Sequence, residues 1–322
     1  MSEISPGTPE VPLALGVDIG ATAVKAAVVT LNGEVMQRFH KPSPRRLESL
    51  QSFLHSVLND SPKMVRGIGI GCRGLIDADS TRINRIPGDL QFLQGKLLKE
   101  VVRTDLPVYA DNDGRTALIG EVLWGVARGR RNAILLTLGT GVGGAVLADG
   151  VILHGVSGAA GHLGHISLDL RGGLCICGNR GCLETRFSSR AIESDYFAHL
   201  HRGASAKLSV DGSGNPPTVE AIYRAAADGD PSARCVLSRA TEYLAAGLVS
   251  FVNIFDPEVI ILGGNIAAAG EQLFTPLREQ VAECTSPMLG REVPILQQSA
   301  LGFGGVAGAA ALVFLRQQLL TI

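Results

Sequence analysis

Apolar positions along the chain fall into short runs separated by glycine turns, alternating with longer stretches of helical spacing. The run LALGV (13–17) leads through the polar turn DIGAT into a second apolar run over 24–29. Asn32-Gly33 then opens a third, and Asn-Gly between β-type runs predicts a hairpin. Helical spacing covers 47–58, and GIGIG (67–71) reads as a strand. A Gly/Pro-rich loop holding Ile86-Pro87-Gly88 precedes a predicted helix over 90–102, a strand PVYADND (107–113) and a helix over 115–124. NAILLTLGTGVGGAVLADG (132–150) reads as strand, glycine turn, strand, which repeats the opening plan and suggests two similar halves. Helical spacing dominates 190–255, broken by the loop SVDGSGNPPT (209–218), and EVIILGG (258–264) is a further strand. SALGFGGVAGAAALVFLRQQLL (299–320) closes the chain with a helix. Strands alternating with helices predict an α/β fold, here of two lobes with a cleft between them.

Length and composition narrow the class. A chain of 322 residues has room for about two domains, and 46% hydrophobic against 18% charged residues supplies ample core. Lys plus Arg (29) balances Asp plus Glu (30), a net charge of −1 that gives no field for collecting nucleic acid or an anionic membrane. MSEISPGTPE lacks an apolar h-region and reads as a frayed tail, not a signal peptide. LVSFVNIFDPEVIILGG is cut by Asp256-Pro257, so nothing there is expected to span a bilayer. Three of six cysteines cluster as Cys175, Cys177 and Cys182, which favours metal over disulfides. Cys72, Cys235 and Cys284 stand alone and read as buried small hydrophobes. The expected compartment is the cytoplasm.

The loop Gly139-Thr-Gly-Val-Gly-Gly144 is a literal GxGxxG. A dinucleotide site needs a helix directly after it, and here a second strand and the turn Asp149-Gly150 are predicted instead. Asp18-Ile-Gly-Ala-Thr22 has the same build: apolar strand, acid, glycine, hydroxyl. One such loop alone is an ordinary tight hairpin. Two, at the start of two similar halves, point to backbone N–H groups cradling the phosphates of a nucleotide held between the lobes.

The stretch GHLGHISLDLRGGLCICGNRGCLE (161–184) spaces His165, Cys175, Cys177 and Cys182 for one Zn²⁺. A Cys₃His set leaves no open position, so the site is structural. Asp111-Asn112-Asp113 ends a strand and opens a helix, where helix capping accounts for one or two of the three. A carboxylate at a helix N-terminus stays ionised and suits a general base.

These segments together resemble one family. DIGATAVK resembles the first phosphate loop of sugar kinases with the actin-like, hexokinase-type ATPase fold, and LTLGTGVGGAVLADG their second. DPEVIILGGNI is similar to their adenosine-side glycine pair, and GHxxxxxxxxxCxCGxxGCLE to the ROK family (repressors, open reading frames and kinases). With Asn112-Asp113, which matches the family's Asn-Asp pattern, five motifs occur in the family's order, from about Leu13 to the last helix.

The resemblance implies a smaller N-terminal lobe over 11–120, joined by the C-terminal helix 306–322, and a larger lobe over 121–305 with the zinc segment 165–182. It implies ATP, Mg²⁺, a structural Zn²⁺ and a homodimer. Asp113 becomes the base that takes the proton of the attacking sugar hydroxyl, with Asn112 and Gly74 at the sugar. Asp18 lies in the Mg²⁺–phosphate neighbourhood, Gly20 and Thr22 on phosphate, Thr140 and Gly141 in the second loop, Gly263 and Gly264 beside adenosine. His165 bonds a sugar hydroxyl through one ring nitrogen and the metal through the other, and Glu184 binds sugar hydroxyls. Lys25 matches the motif, but on a strand it reads as a solvated face and stands outside the core set.

Three positions depart from the pattern. Many members carry GExGH where this chain has Gly161-His162-Leu163-Gly164-His165, and an imidazole cannot reproduce a carboxylate's two-acceptor grip. Bacterial N-acetylmannosamine kinases are similar in having His there. Cys72-Arg73-Gly74 replaces a usual Pro-Gly turn, and Phe303 a common acid. The implied activity is ATP-dependent phosphorylation, at the 6-hydroxyl, of glucose, N-acetylglucosamine or N-acetylmannosamine. The rival is a non-catalytic sugar-sensing protein. The family's DNA-binding repressors place a helix-turn-helix before the first phosphate loop, and Asp18 already in that loop leaves no room for one.

Overall fold

The structure, a computed structural model, describes residues 11–86, 88–202, 206–208, 216–299 and 305–322. The N-terminal tail, Pro87, most of the predicted loop over 209–218 and Phe303 lie outside the described residues. The chain divides into two compact units: unit 1 comprises Met1–Gly129, His154–Ala159 and Ser299–Ile322, and unit 2 comprises Arg130–Leu153 and Ala160–Gln298.

Unit 1 is built on a five-stranded sheet. β1 (Leu13–Ile19), β2 (Ala23–Thr30) and β3 (Val35–Pro42) form an antiparallel meander. β4 (Val65–Cys72) adds parallel to β1 after α1 (Leu47–Asp60). A two-stranded hairpin, β5 (Leu75–Asp77) and β6 (Arg82–Arg85), leads to α2 (Leu98–Val102). β7 (Val108–Asn112) then pairs with β4, followed by α3 (Asp113–Trp124).

β1 reads as continuously apolar because both its faces are covered. Leu15, Val17 and Ile19 pack with Leu50, Phe53, Leu54 and Val57 of α1 on one face. Ala14, with Ala27 and Val29 of β2, meets the other, where the closing helix (Gly305–Arg316) lies. The closing helix approaches closely: a Cβ on Gly69 of β4 would sit 1.7 Å from the Ala309 carbonyl oxygen, and one on Gly308 would sit 1.7 Å from that of Thr116. Only glycine fits at such contacts. β3, at the sheet edge, alternates half-buried and exposed residues along its length, as a one-sided strand must.

Unit 2 repeats this plan, as the sequence suggests. β8 (Ala133–Leu138), β9 (Val142–Ala148) and β10 (Val151–Ile152) run antiparallel, and β11 (Val259–Gly263) and β12 (Ile295–Gln297) continue parallel from β8. Between them come α4 (Ser189–His201), α5 (Val219–Ala227), α6 (Pro231–Phe255) and α7 (Glu271–Leu289), so the closing helix is α8. Asp230 caps α6 through Ala233 N, with Pro231 in the first turn. Among the described residues α6 alone is long and apolar enough to cross a membrane. Its Val236, Leu244, Leu248, Phe251 and Val252 instead belong to the core of unit 2, and it stops at Asp256-Pro257.

Two expectations are corrected. The helix over 90–102 is a 3₁₀ turn (Gly88–Leu93) and the short α2, separated by Gly95 at φ +79°. Cys72 is buried, but Cys235 and Cys284 are exposed on α6 and α7, so only one of the three is the small core residue expected.

Candidate active site

In unit 1 the β1–β2 loop is pinned at both ends. Gly20 N donates to the Ala23 carbonyl (3.1 Å), Ser43 Oγ donates to the Gly20 carbonyl (2.8 Å), and Ser43 N donates to that of Thr22 (3.0 Å). Ser43, 20 or more residues from these partners, carries no motif by which a sequence could reveal it. Asp18, near the end of β1, faces the start of α8: a Cβ built on Gly305 lies 3.8 Å from Asp18 Cγ and 3.7 Å from the Asp113 carbonyl oxygen. Burial raises the Asp18 pKa to about 7, Asp113's charge adds to this, and Lys25 opposes it. Lys25 pairs opposite Asp18 in the β1–β2 ladder and is half-buried, so it is not merely a solvated face. Burial, and then the charges of Asp113 and Asp18, push the Cys72 thiol well above its usual range.

Capping divides the Asp111-Asn112-Asp113 run. Asn112 is the N-cap of α3: its Oδ1 accepts from Gly114 N at 2.9 Å, while its Nδ2 donates to the Gly74 carbonyl at 3.1 Å. Gly74 holds φ +103°, and a Cβ there would strike the Arg85 carbonyl oxygen at 2.3 Å. Asp113 is the first residue of the helix, and its Oδ1 also accepts from Gly114 N (3.0 Å). Asp111 instead enters an ion pair with Arg115. Asp18, Gly74, Asn112 and Asp113 thus come together at one end of the unit 1 sheet.

In unit 2 the glycine loop turns directly from β8 into β9, with Gly139 N donating to the Gly141 carbonyl (3.0 Å). A strand follows it, as predicted, where a dinucleotide fingerprint has a helix. Thr140 is exposed at the tip. Glu184 reaches this loop: its Oε2 accepts from Val142 N at 2.9 Å, and a Cβ on Gly141 would lie 2.4 Å from the same oxygen. The Gly263-Gly264 pair lies against the same strand end, since a Cβ on Gly264 (φ +88°) would meet the Leu138 carbonyl oxygen at 2.2 Å. Beside it, a cavity of about 290 Å³ is lined by Glu220, Tyr223, Arg224, Asn265, Ile266 and Gln272, among others. Asn265 Nδ2 donates to Glu220 Oε1 (3.2 Å). The glycine pair is legible in the sequence; the α5 wall, some 40 residues earlier, is not.

His165, Cys175, Cys177 and Cys182 place one donor atom each within 4.8 Å of one another. His165 Nδ1 lies 3.5 Å from Cys175 Sγ, and Cys177 Sγ lies 3.6 Å from Cys182 Sγ. A tetrahedral ion with bonds of about 2.3 Å to sulfur and about 2.0 Å to nitrogen separates its ligand atoms by about 3.5–3.8 Å, so this donor set fits one metal ion. The His162 ring stacks near that of His165, with centroids 6.3 Å apart and planes inclined by 13°.

The chain is similar to known proteins over most of its length. The family model described as ROK family matches residues 14–316. A glucokinase of Thermotoga maritima is 30% identical over 309 residues, which cover 93% of this chain and 96% of that protein. The crystal structure of a ROK family glucokinase from Streptomyces griseus in complex with glucose and AMPPNP superposes with a TM-score of 0.78 at 29% identity, covering 93% of this chain and 98% of that one. The transcriptional dual regulator NagC of Escherichia coli is 26% identical over 93% of this chain but 75% of its own length. With the family model matching nearly the whole of it, from residue 14 to residue 316, the chain belongs to the ROK family.

Proposed function

We propose that this protein is a sugar kinase that transfers the γ-phosphoryl group of ATP to the 6-hydroxyl of a hexose or N-acetylhexosamine. The observation that carries the reading is the pairing, in unit 1, of Asp113 at the N-terminus of α3 with the buried acid Asp18 beside a pinned glycine loop. Phosphoryl transfer asks the protein mainly for positioning and charge neutralisation. Asp113 accepts the proton of the attacking hydroxyl, and the α3 N-terminus keeps its carboxylate ionised until then. Asn112 orients that hydroxyl while holding the Gly74 carbonyl that lines its approach.

Gly20 and Thr22 present backbone and hydroxyl donors to phosphate, as do Thr140 and Gly141 of the second loop. The base of the nucleotide occupies the cavity beside Gly263 and Gly264. Asp18 stands where a Mg²⁺–phosphate pair needs an anion, and the ion, when bound, supplies charge neutralisation to the departing phosphates. His165, Cys175, Cys177 and Cys182 would hold Zn²⁺ as a structural ion; with His165 Nδ1 turned to Cys175, Nε2 is left for a sugar hydroxyl, next to Glu184 and His162. The family's habits make the working form a cytoplasmic homodimer.

A single observation favours a second reading. His162 stands where many relatives use a carboxylate to grip two sugar hydroxyls, and a weaker grip suits a sensor that binds sugar without turning it over. The test is ADP release from Mg-ATP with glucose, mannose, N-acetylglucosamine and N-acetylmannosamine. Turnover on at least one sugar supports the kinase; sugar binding with no turnover on any replaces it with the sensor.

A further inference from the structure

Asp111 has no place in the mechanism above, yet it is 2% exposed and heavily bonded. Its Oδ1 accepts from Arg115 Nε at 2.6 Å and from Asn112 N at 2.7 Å, and its Oδ2 lies 2.8 Å from His154 Nε2. Arg115, 1% exposed, donates through Nη1 to the Gly158 carbonyl at 3.1 Å. Burial draws the Asp111 pKa up, but the His154 hydrogen bond and the Arg115 charge outweigh it and hold the carboxyl below its usual range. An ionised carboxylate only accepts, so His154 Nε2 carries the hydrogen.

One carboxylate at the end of β7 and one guanidinium in the first turn of α3, both out of water, therefore fasten the two ends of segment 154–158 to the β7–α3 junction. That turn needs an external hold. It begins Asp113-Gly114, and glycine at its second position gives the backbone freedom where the base must be fixed.

We propose that Asp111, Arg115 and His154 form a clasp that positions the base: they act only through the Asn112–Asp113 backbone, and none of the three touches substrate. This inference rests on the kinase reading for its effect on catalysis, but not for its effect on the fold. His154 is the member to test, because its side chain is 40% exposed and borders a polar cavity of about 360 Å³ with Asp77, Asp79, Asn84 and Arg316. Changing it leaves the buried Asp111 charge still paired with Arg115.

The experiment compares His154→Gln, whose amide can still donate to Asp111, with His154→Leu, which is similar in size and cannot. Two readouts are taken: kcat and KM on whichever sugar the wild type phosphorylates, and amide hydrogen exchange of 112–116 and 156–158 in the ligand-free protein. For His154→Leu the clasp predicts kcat lower by about tenfold with both KM values within about twofold, since a misplaced base costs rate and not binding. It also predicts exchange at 112–116 faster by about tenfold. His154→Gln should recover most of both. Equal kcat and equal exchange in the two variants would overturn the clasp. Should the wild type release no ADP with any sugar, the kinase reading fails on its own, and the exchange comparison still decides whether the clasp exists.

Discussion

The two five-stranded sheets share one strand plan, but their hairpin loops sit in different chemistry. In unit 1 the β1–β2 loop follows Asp18, an acid whose pKa is lifted by burial and by Asp113. In unit 2 the β8–β9 loop follows Leu138, and its neighbours are the glycine pair, Glu184 and a cavity. The unit 1 loop has charge close to its backbone, and unit 2 carries the glycine pair and a sulfur cluster.

The comparison breaks most severely at the metal. Structural zinc sites contribute binding free energy on the order of 10 kcal/mol. Metal analysis should find roughly one zinc per wild-type chain and lose it in Cys182→Ser, which should also lower the melting temperature and abolish sugar-dependent turnover. A variant with wild-type metal content and melting would remove zinc from the account.

Packing comes next. Gly69→Ala pushes a methyl into the Ala309 carbonyl of α8 and should destabilise the protein by about 3 kcal/mol. Gly173→Ala in the zinc segment, with nothing within 4 Å of its new methyl, should change stability by less than about 0.5 kcal/mol. Denaturant titration of both variants checks the contrast, and equal midpoints would contradict it. At the second loop, Gly141→Ala displaces Glu184 from Val142 N and should raise the sugar KM about fivefold for about 1 kcal/mol of lost hydrogen bonding. An unchanged KM would separate Glu184 from the sugar.

The smallest effect is electrostatic. Asp18 has a folded pKa of about 7 against its ordinary 3.8, so between those values the native state binds more protons than the unfolded state. Its contribution to stability is therefore present at low pH and is lost as pH rises through about 7. In metal- and nucleotide-free protein, Asp18→Asn should gain stability over wild type as pH rises from 5 to about 7.5. A difference independent of pH would contradict the raised pKa.

What the sequence revealed follows from how local each signal is. The hairpins β1–β2 and β8–β9, a helix cap within 111–113 and the donor cluster of 165–182 all lie within short windows, and each is readable from turn chemistry or spacing. α7 was not, because Pro276 and Pro287 interrupt its pattern while tertiary packing of Leu273, Phe274, Leu277 and Val281 holds it helical. Lys25 looked solvated because its partner across the ladder cannot be seen from one strand. The Asp111–Arg115–His154 clasp joins residues up to 43 apart, and its members look like a cap, a helix charge and a turn residue until folded.

The most direct test of the central claim is Asp113→Asn, assayed for sugar-dependent ADP release and, separately, for sugar binding by calorimetry. Loss of the base with the cap and helix intact should lower kcat by about 10³-fold while the sugar dissociation constant stays within about threefold. Turnover within tenfold of wild type would show that Asp113 is not the base, and the assignment of the reaction to the start of α3 would fall with it.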